Sequence, residues 1–165
     1  MIVVADTTPL ISLLKINKLY ILNELYGTVH IPRAVYNELT VNADFDEEAE
    51  TIRNAAFLHI HDDIPADRVD LLQRATGLDL GESEAIILAD SFETKTLLMD
   101  EFHGRSVAEQ MRIPITGVIG VLMAAYKKHL LTDNEVRNSV QIMKQSNRYI
   151  SDRLYNLLLS LLRTS

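Results

Sequence analysis

The sequence predicts an α/β fold on a mostly parallel sheet of four or five strands, and two observations carry that expectation. Short runs rich in Val, Ile and Leu recur along the chain, each continuous in apolar character rather than alternating. Such continuity suits strands covered on both faces. Segments of helical period lie between them, and strand–helix alternation implies parallel strands joined by right-handed crossovers.

Taken in order, the first strand is Ile2–Ala5, "IVVA". A helix over Pro9–Tyr26 follows; Pro9 fits the first helical position, which makes Thr8 the expected cap. Next come a strand at Thr28–Ile31, helices at Arg33–Thr40 and Asp44–Ala55, and a weak strand at Phe57–His61. Helices Ala66–Ala75 and Gly81–Thr94 lead into a strand at Thr96–Met99. Gly104 opens a helix to Met111, Ile113–Thr116 forms the last strand, and Gly117–His129 the helix after it. Beyond His129 only helices are expected, at Thr132–Gln145 and Ser151–Leu162. With no internal repeat or Pro/Gly-rich linker, the expected organisation is one domain over residues 1–130. A helical extension over 131–165 would pack on it or at an oligomer interface.

The chain of 165 residues, 47% hydrophobic and 24% charged, is long enough for a real core and ordinary for a globular protein. The absence of cysteine excludes a disulfide framework, a thiolate metal site and a thiol nucleophile. The N-terminus lacks the features of a signal peptide, and "LYNLLLSLL" is too short to span a bilayer, so a cytoplasmic protein with no membrane association is expected. The net charge of −7 is unevenly spread. Residues 1–125 hold 9 Lys and Arg against 20 Asp and Glu, whereas residues 126–165 hold 7 against 3. An acidic body with a basic tail suits a metal-dependent enzyme acting on a polyanion, and equally an acidic protein with a partner-binding tail.

In open α/β sheets ligands bind outside the carboxyl ends of the strands. Asp6 falls there directly after the first strand, and with Thr8 as the cap it needs another role. Asp100 and Glu101 repeat the arrangement after Thr96–Met99, Asp100 being preferred. In "LDLGESEAIILADS", Asp79 and Glu82 have capping-box spacing, which gives Glu82 a structural explanation. Glu84 has none: it shares a helical face with Leu88, where a carboxylate is costly unless a cation or donor meets it. Glu38, in "IPRAVYNELT", sits on the flank of an apolar stripe and alone carries little weight.

Together "VVADTTPLISLL", "IPRAVYNEL", "LDLGESEAIILA", "LLMDEFHGRSVAEQM" and "IPITGVIGVLMAA" resemble a PIN domain, the nuclease superfamily that includes VapC-type toxins. More closely they resemble a prokaryotic branch of predicted nucleic-acid-binding proteins. The resemblance implies a three-layer α/β/α fold and four acidic residues, which match Asp6, Glu38, Glu84 and Asp100 here. Thr8 matches a hydroxyl or amide position beside the first acid. Glu82 stands as the alternative third acid and Glu101 as the alternative fourth.

Four carboxylates at one sheet edge repel by roughly 4 kcal/mol per pair at about 4 Å and an effective dielectric near 20. A divalent cation relieves this, and hard oxygen ligands select Mg²⁺ or Mn²⁺. With that chemistry, the resemblance implies a Mg/Mn-dependent endoribonuclease that hydrolyses phosphodiesters with an activated water. Asp6, Asp100 and Glu84 are the expected ligands, and Glu38 a ligand or a holder of the water. Arg105, just past the acids, is either ordinary surface charge or a contact to substrate phosphate. RNA is the expected substrate and a homodimer the expected assembly, plausibly as the toxin of a pair with a small antitoxin protein. Two alternatives stand beside it: a non-catalytic nucleic-acid- or protein-binding module, and a receiver- or phosphatase-type domain. The phosphatase pattern wants an Asp where Thr8 stands.

Two features are read as ordinary, and the C-terminal segment is read differently. "HIHDD" places His59 and His61 on one strand face, but it lies away from the acids and a loop at a strand end accounts for it. "DFDEEAE" fits a solvated helix face. Lys127, Lys128, Lys144, Arg148 and Arg153 either steer RNA or simply solubilise. "DRLYNLLLSLLR" is too apolar for a lone surface helix, so it packs on its own domain, joins two copies, or receives an antitoxin.

Overall fold

The computed structural model describes residues 2–145 and 152–163. Ser151, the expected start of the last helix, and Arg148 lie outside the described residues.

The chain alternates strand and helix through β1 (Ile2–Ala5), α1 (Thr7–Lys15), α2 (Ile21–Tyr26), β2 (Val29–Pro32), α3 (Arg33–Thr40), α4 (Asp46–Asn54) and β3 (Leu58–His61). It continues through α5 (Ala66–Thr76), α6 (Leu80–Ser91), β4 (Thr94–Leu98), α7 (Phe102–Gln110), β5 (Ile115–Thr116) and α8 (Val118–Lys127). Helices α9 (Asp133–Gln145) and α10 (Asp152–Arg163) close it.

The five strands form one sheet in the order β3-β2-β1-β4-β5, every pairing parallel. The chain moves outward from β1 through β2 to β3, then crosses back to β4 on the other side of β1. The connection therefore changes direction between β1 and β4, and such a switch point leaves a crevice beyond the carboxyl ends of those two strands.

The sheet is covered on both faces because its strands alternate sides residue by residue. Val3 and Ala5 enter one apolar cluster with residues of α1, α2, α8, α9 and α10. Val4, Leu97 and Met99 enter the other, with Ala85, Ile86 and Leu88 of α6 and Val107 and Ala108 of α7. From α10, Leu158 and Leu162 join the first cluster, whereas Leu154, Leu157 and Leu161 are exposed.

Three expectations change. The single helix over Pro9–Tyr26 is two helices, because Asn17 takes a left-handed φ of 56° that ends the first; Asn tolerates that conformation. The first helix starts at Thr7, so Asp6 rather than Thr8 holds the capping position. Pro9 then sits third in the helix, within a first turn whose N–H groups have no helical acceptor anyway. The last strand is shorter than Ile113–Thr116: Arg112 has a φ of 61°, and pairing begins at Ile115.

Candidate active site at the crevice between β1 and β4

Asp6 is set by the sheet itself. The ladder of β1 and β4 runs to Ala5 opposite Leu98, and the Asp6 N–H then bonds the Leu98 carbonyl at 2.9 Å. Its side chain makes no capping bond to α1, and the residue is only 2% exposed. Burial lifts its carboxyl to a pKa of about 7; the Thr7 N–H pulls it back, while Glu82, Asp79 and Glu38 push it up.

Three helices bring those neighbours in. Glu38 comes from α3, with burial raising its pKa, the neighbouring Thr7 side chain lowering it, and Asp79 and Glu101 raising it again. At the start of α6 a capping box forms: the Glu82 N–H donates to Asp79 Oδ1 at 2.8 Å and the Asp79 N–H to Glu82 Oε2 at 3.3 Å. Burial, and then the Asp79 charge, drive the Glu82 carboxyl to about 7, and a hydrogen bond shared with Glu101 adds to this. Glu101 occupies the capping position of α7 and accepts a hydrogen bond from the Thr8 hydroxyl at 3.3 Å. Gly81 lets these elements close, since a Cβ there would collide with Glu38 Oε1.

Asp6, Glu38, Asp79, Glu82 and Glu101 thus act on one another at the crevice. Asp79 is the member that sequence reasoning saw only as a cap. Glu84, expected among the ligands, is turned elsewhere: its Oε1 accepts the Ala34 N–H at the start of α3, 3.3 Å away. Burial raises its pKa, that N–H lowers it, and the acid acting on it is Asp62 rather than Asp6. A donor meets the buried carboxylate, so no cation is needed there. Asp100 takes an intermediate place. Its Oδ1 accepts the Val118 N–H at 3.0 Å and so holds the first turn of α8. Arg105 Nη1 donates to the Met99 carbonyl at 3.0 Å, beside Asp100 at Gly117. A groove of about 1060 Å³ runs on from Thr8, Asp100, Glu101 and Arg105 toward Met143 and Leu154.

The five carboxyls offer only hard oxygen donors, two of them with pKa values near 7 through burial and mutual repulsion. A divalent cation of the Mg²⁺ or Mn²⁺ type would relieve that repulsion, so the donor set fits such an ion.

A parallel sheet with an acidic switch point is the architecture of a PIN-type domain. The chain belongs to the DUF3368 family, described as a PIN domain, whose model matches residues 2–164. No curated protein and no solved structure matches the chain significantly. The fold is thus of nuclease type, and among the described residues no helix is long and apolar enough to cross a membrane.

Proposed function

We propose that the protein is a Mg²⁺- or Mn²⁺-dependent endoribonuclease whose site is the β1–β4 crevice. The observation that carries this reading is the convergence of carboxyls from α3 and the start of α6 on a buried Asp6, with Glu101 of α7 acting on Glu38 and Glu82. In this reading Asp6, Glu82 and Glu101 hold the ion, with Glu38 and Asp79 beside them. When bound, the ion supplies Lewis-acid polarisation of the phosphodiester and lowers the pKa of water.

The chain's own residues do the rest. Glu38, its carboxyl raised above the ordinary range by burial, takes a proton from the attacking water. The Thr8 hydroxyl steadies Glu101, so that carboxyl keeps its aim. Asp100 pins α8 against the end of β4, and Arg105 stands on the groove wall where an RNA phosphate would run. Asp6→Asn is expected to abolish Mn²⁺-dependent cleavage of RNA while circular dichroism stays that of the parent chain. Undiminished cleavage in that variant would sink the assignment, and an inactive parent with metal would favour a non-catalytic binding module.

We extend the reading to the toxin of a toxin–antitoxin pair acting in the cytoplasm, supported by the apolar flank that Met143, Leu154 and Leu161 give the groove. Expression of the chain should arrest growth, and Asp6→Asn should relieve it. Absence of arrest with an active enzyme removes the toxin role and leaves the nuclease standing.

A further inference from the structure

At the far edge of the sheet, β2 and β3 pair in parallel with His30 opposite His59 and Pro32 opposite His61. Residues two apart on a strand share a face, so the register puts His30, His59 and His61 side by side. One nitrogen from each ring lies within 4.8 Å of the other two, and His30 Nδ1 stands 2.8 Å from His61 Nε2. Phe92, just past the end of α6, packs on the His30 ring at 6.1 Å and the His61 ring at 5.7 Å. The third histidine, His59, is exposed. This is a nitrogen-lined cup with an apolar wall and an open mouth.

We propose that His30, His59 and His61 form a second metal site, for Zn²⁺, which clamps the edge strand β3 to β2. Three imidazoles with no carboxylate or thiolate select a borderline ion of the Zn²⁺ class over Mg²⁺ or Mn²⁺. Zn–N bonds of about 2.0–2.1 Å at tetrahedral angles set nitrogens roughly 3.3 Å apart. The present spacing, from 2.8 Å to at most 4.8 Å, brackets that value, and imidazole χ2 is broad enough for the rings to turn. His61 offers Nε2 to the cup, and its Nδ1 faces Asp63 Oδ1 at 3.8 Å across solvent. His30 and His61 now share one hydrogen bond, so a metal taken up here displaces the single proton between them. The site is separate from the acids: α6, 12 residues long, runs from Leu80, just after Asp79, to Ser91, just before Phe92. That separation is about 18 Å at 1.5 Å per residue.

The test uses the whole chain, without a histidine tag and stripped with chelator. In excess Mg²⁺, which keeps the acidic crevice filled, titration calorimetry with Zn²⁺ and visible absorption with Co²⁺ as its surrogate should each give one equivalent bound at the histidines. His59→Ala, an exposed position that the fold does not need, should weaken Zn²⁺ binding more than about 100-fold, above the range of an outer-shell partner. It should also remove the Co²⁺ band. Asp6→Asn should leave both intact. Absence of Zn²⁺ binding in the parent, full binding in His59→Ala, or loss of binding in Asp6→Asn would each overturn the proposal. None of these outcomes depends on whether RNA is cleaved.

Discussion

Glu82 and Glu84 stand two residues apart in α6 and face different neighbours. Glu82 shares a hydrogen bond with Glu101 and adds its charge to that of Asp6, whereas Glu84 accepts the Ala34 N–H. Their variants should therefore separate. Glu82→Gln is expected to lower metal-dependent cleavage by at least about 100-fold, as when a positioned carboxyl is removed. In Glu84→Gln the amide oxygen still accepts the Ala34 N–H, so cleavage should stay within a few-fold and stability within about 0.5 kcal/mol. Steady-state cleavage and thermal melts of the two proteins check this, and equal losses would return Glu84 to the site. The sequence could not choose between the two. It showed correctly that Glu84 lies on an apolar helix face needing a partner, but that partner is a backbone N–H 50 positions away. Which element packs on a helix's first turns is tertiary information.

The first turn of α6 is where helix chemistry and site chemistry meet. Its capping box is written in the spacing of Asp79 and Glu82, and the structure builds it. What the spacing does not say is that Gly81, between them, is the floor on which the Glu38 carboxylate rests. Ala at position 81 favours the helix by up to about 1 kcal/mol over Gly. The atom its Cβ would meet is the end of a flexible side chain, which can swing aside. Gly81→Ala is thus expected to leave the melting temperature unchanged or slightly higher while cleavage falls about tenfold or more, because Glu38 is moved off the proton it should take. A fall in stability matching the fall in activity would count against this account. Other elements were legible to different depths. The α3 limits, Arg33–Thr40, coincide with those expected, and the weak third strand does form. The break at Asn17 was not legible, since a left-handed residue inside an apolar helical pattern leaves the period intact. The histidine cup escaped for a different reason. His59 and His61 share a face by local spacing, but His30 joins them only through the register of two strands.

At the scale of the whole molecule, the crevice ties stability to pH and to metal. Asp6 moves from an ordinary pKa of 3.8 to about 7 on folding, and Glu82 from 4.5 to about 7. Between those values the native state holds protons that the unfolded chain has released, so stability falls as pH rises. The penalty is absent below pH 4, grows through the window, and is complete above about 7. For the buried Asp6 alone, moved from 3.8 to about 7, it is on the order of 4 kcal/mol at one pKa unit per 1.36 kcal/mol. That corresponds to roughly 10 °C in melting temperature for a chain of this size. Metal-free protein should accordingly melt at higher temperature near pH 5 than near pH 8, opposite to the trend of a salt-bridged carboxylate. Asp6→Asn cannot ionise, so it should flatten much of this slope and raise the melting temperature at pH 8. Mn²⁺ should restore stability to the parent chain at pH 8 more than at pH 5, because it must displace protons at the lower pH. For the same reason binding should release protons, visible as a calorimetric heat that changes with the ionisation enthalpy of the buffer. Melts from pH 4.5 to 8.5 of parent and Asp6→Asn, with chelator and with Mn²⁺, carry the test. A metal-free parent whose stability rises through pH 7, or a variant that keeps the parent's slope, would show that the carboxyls at the crevice are not held as neutral acids by one another.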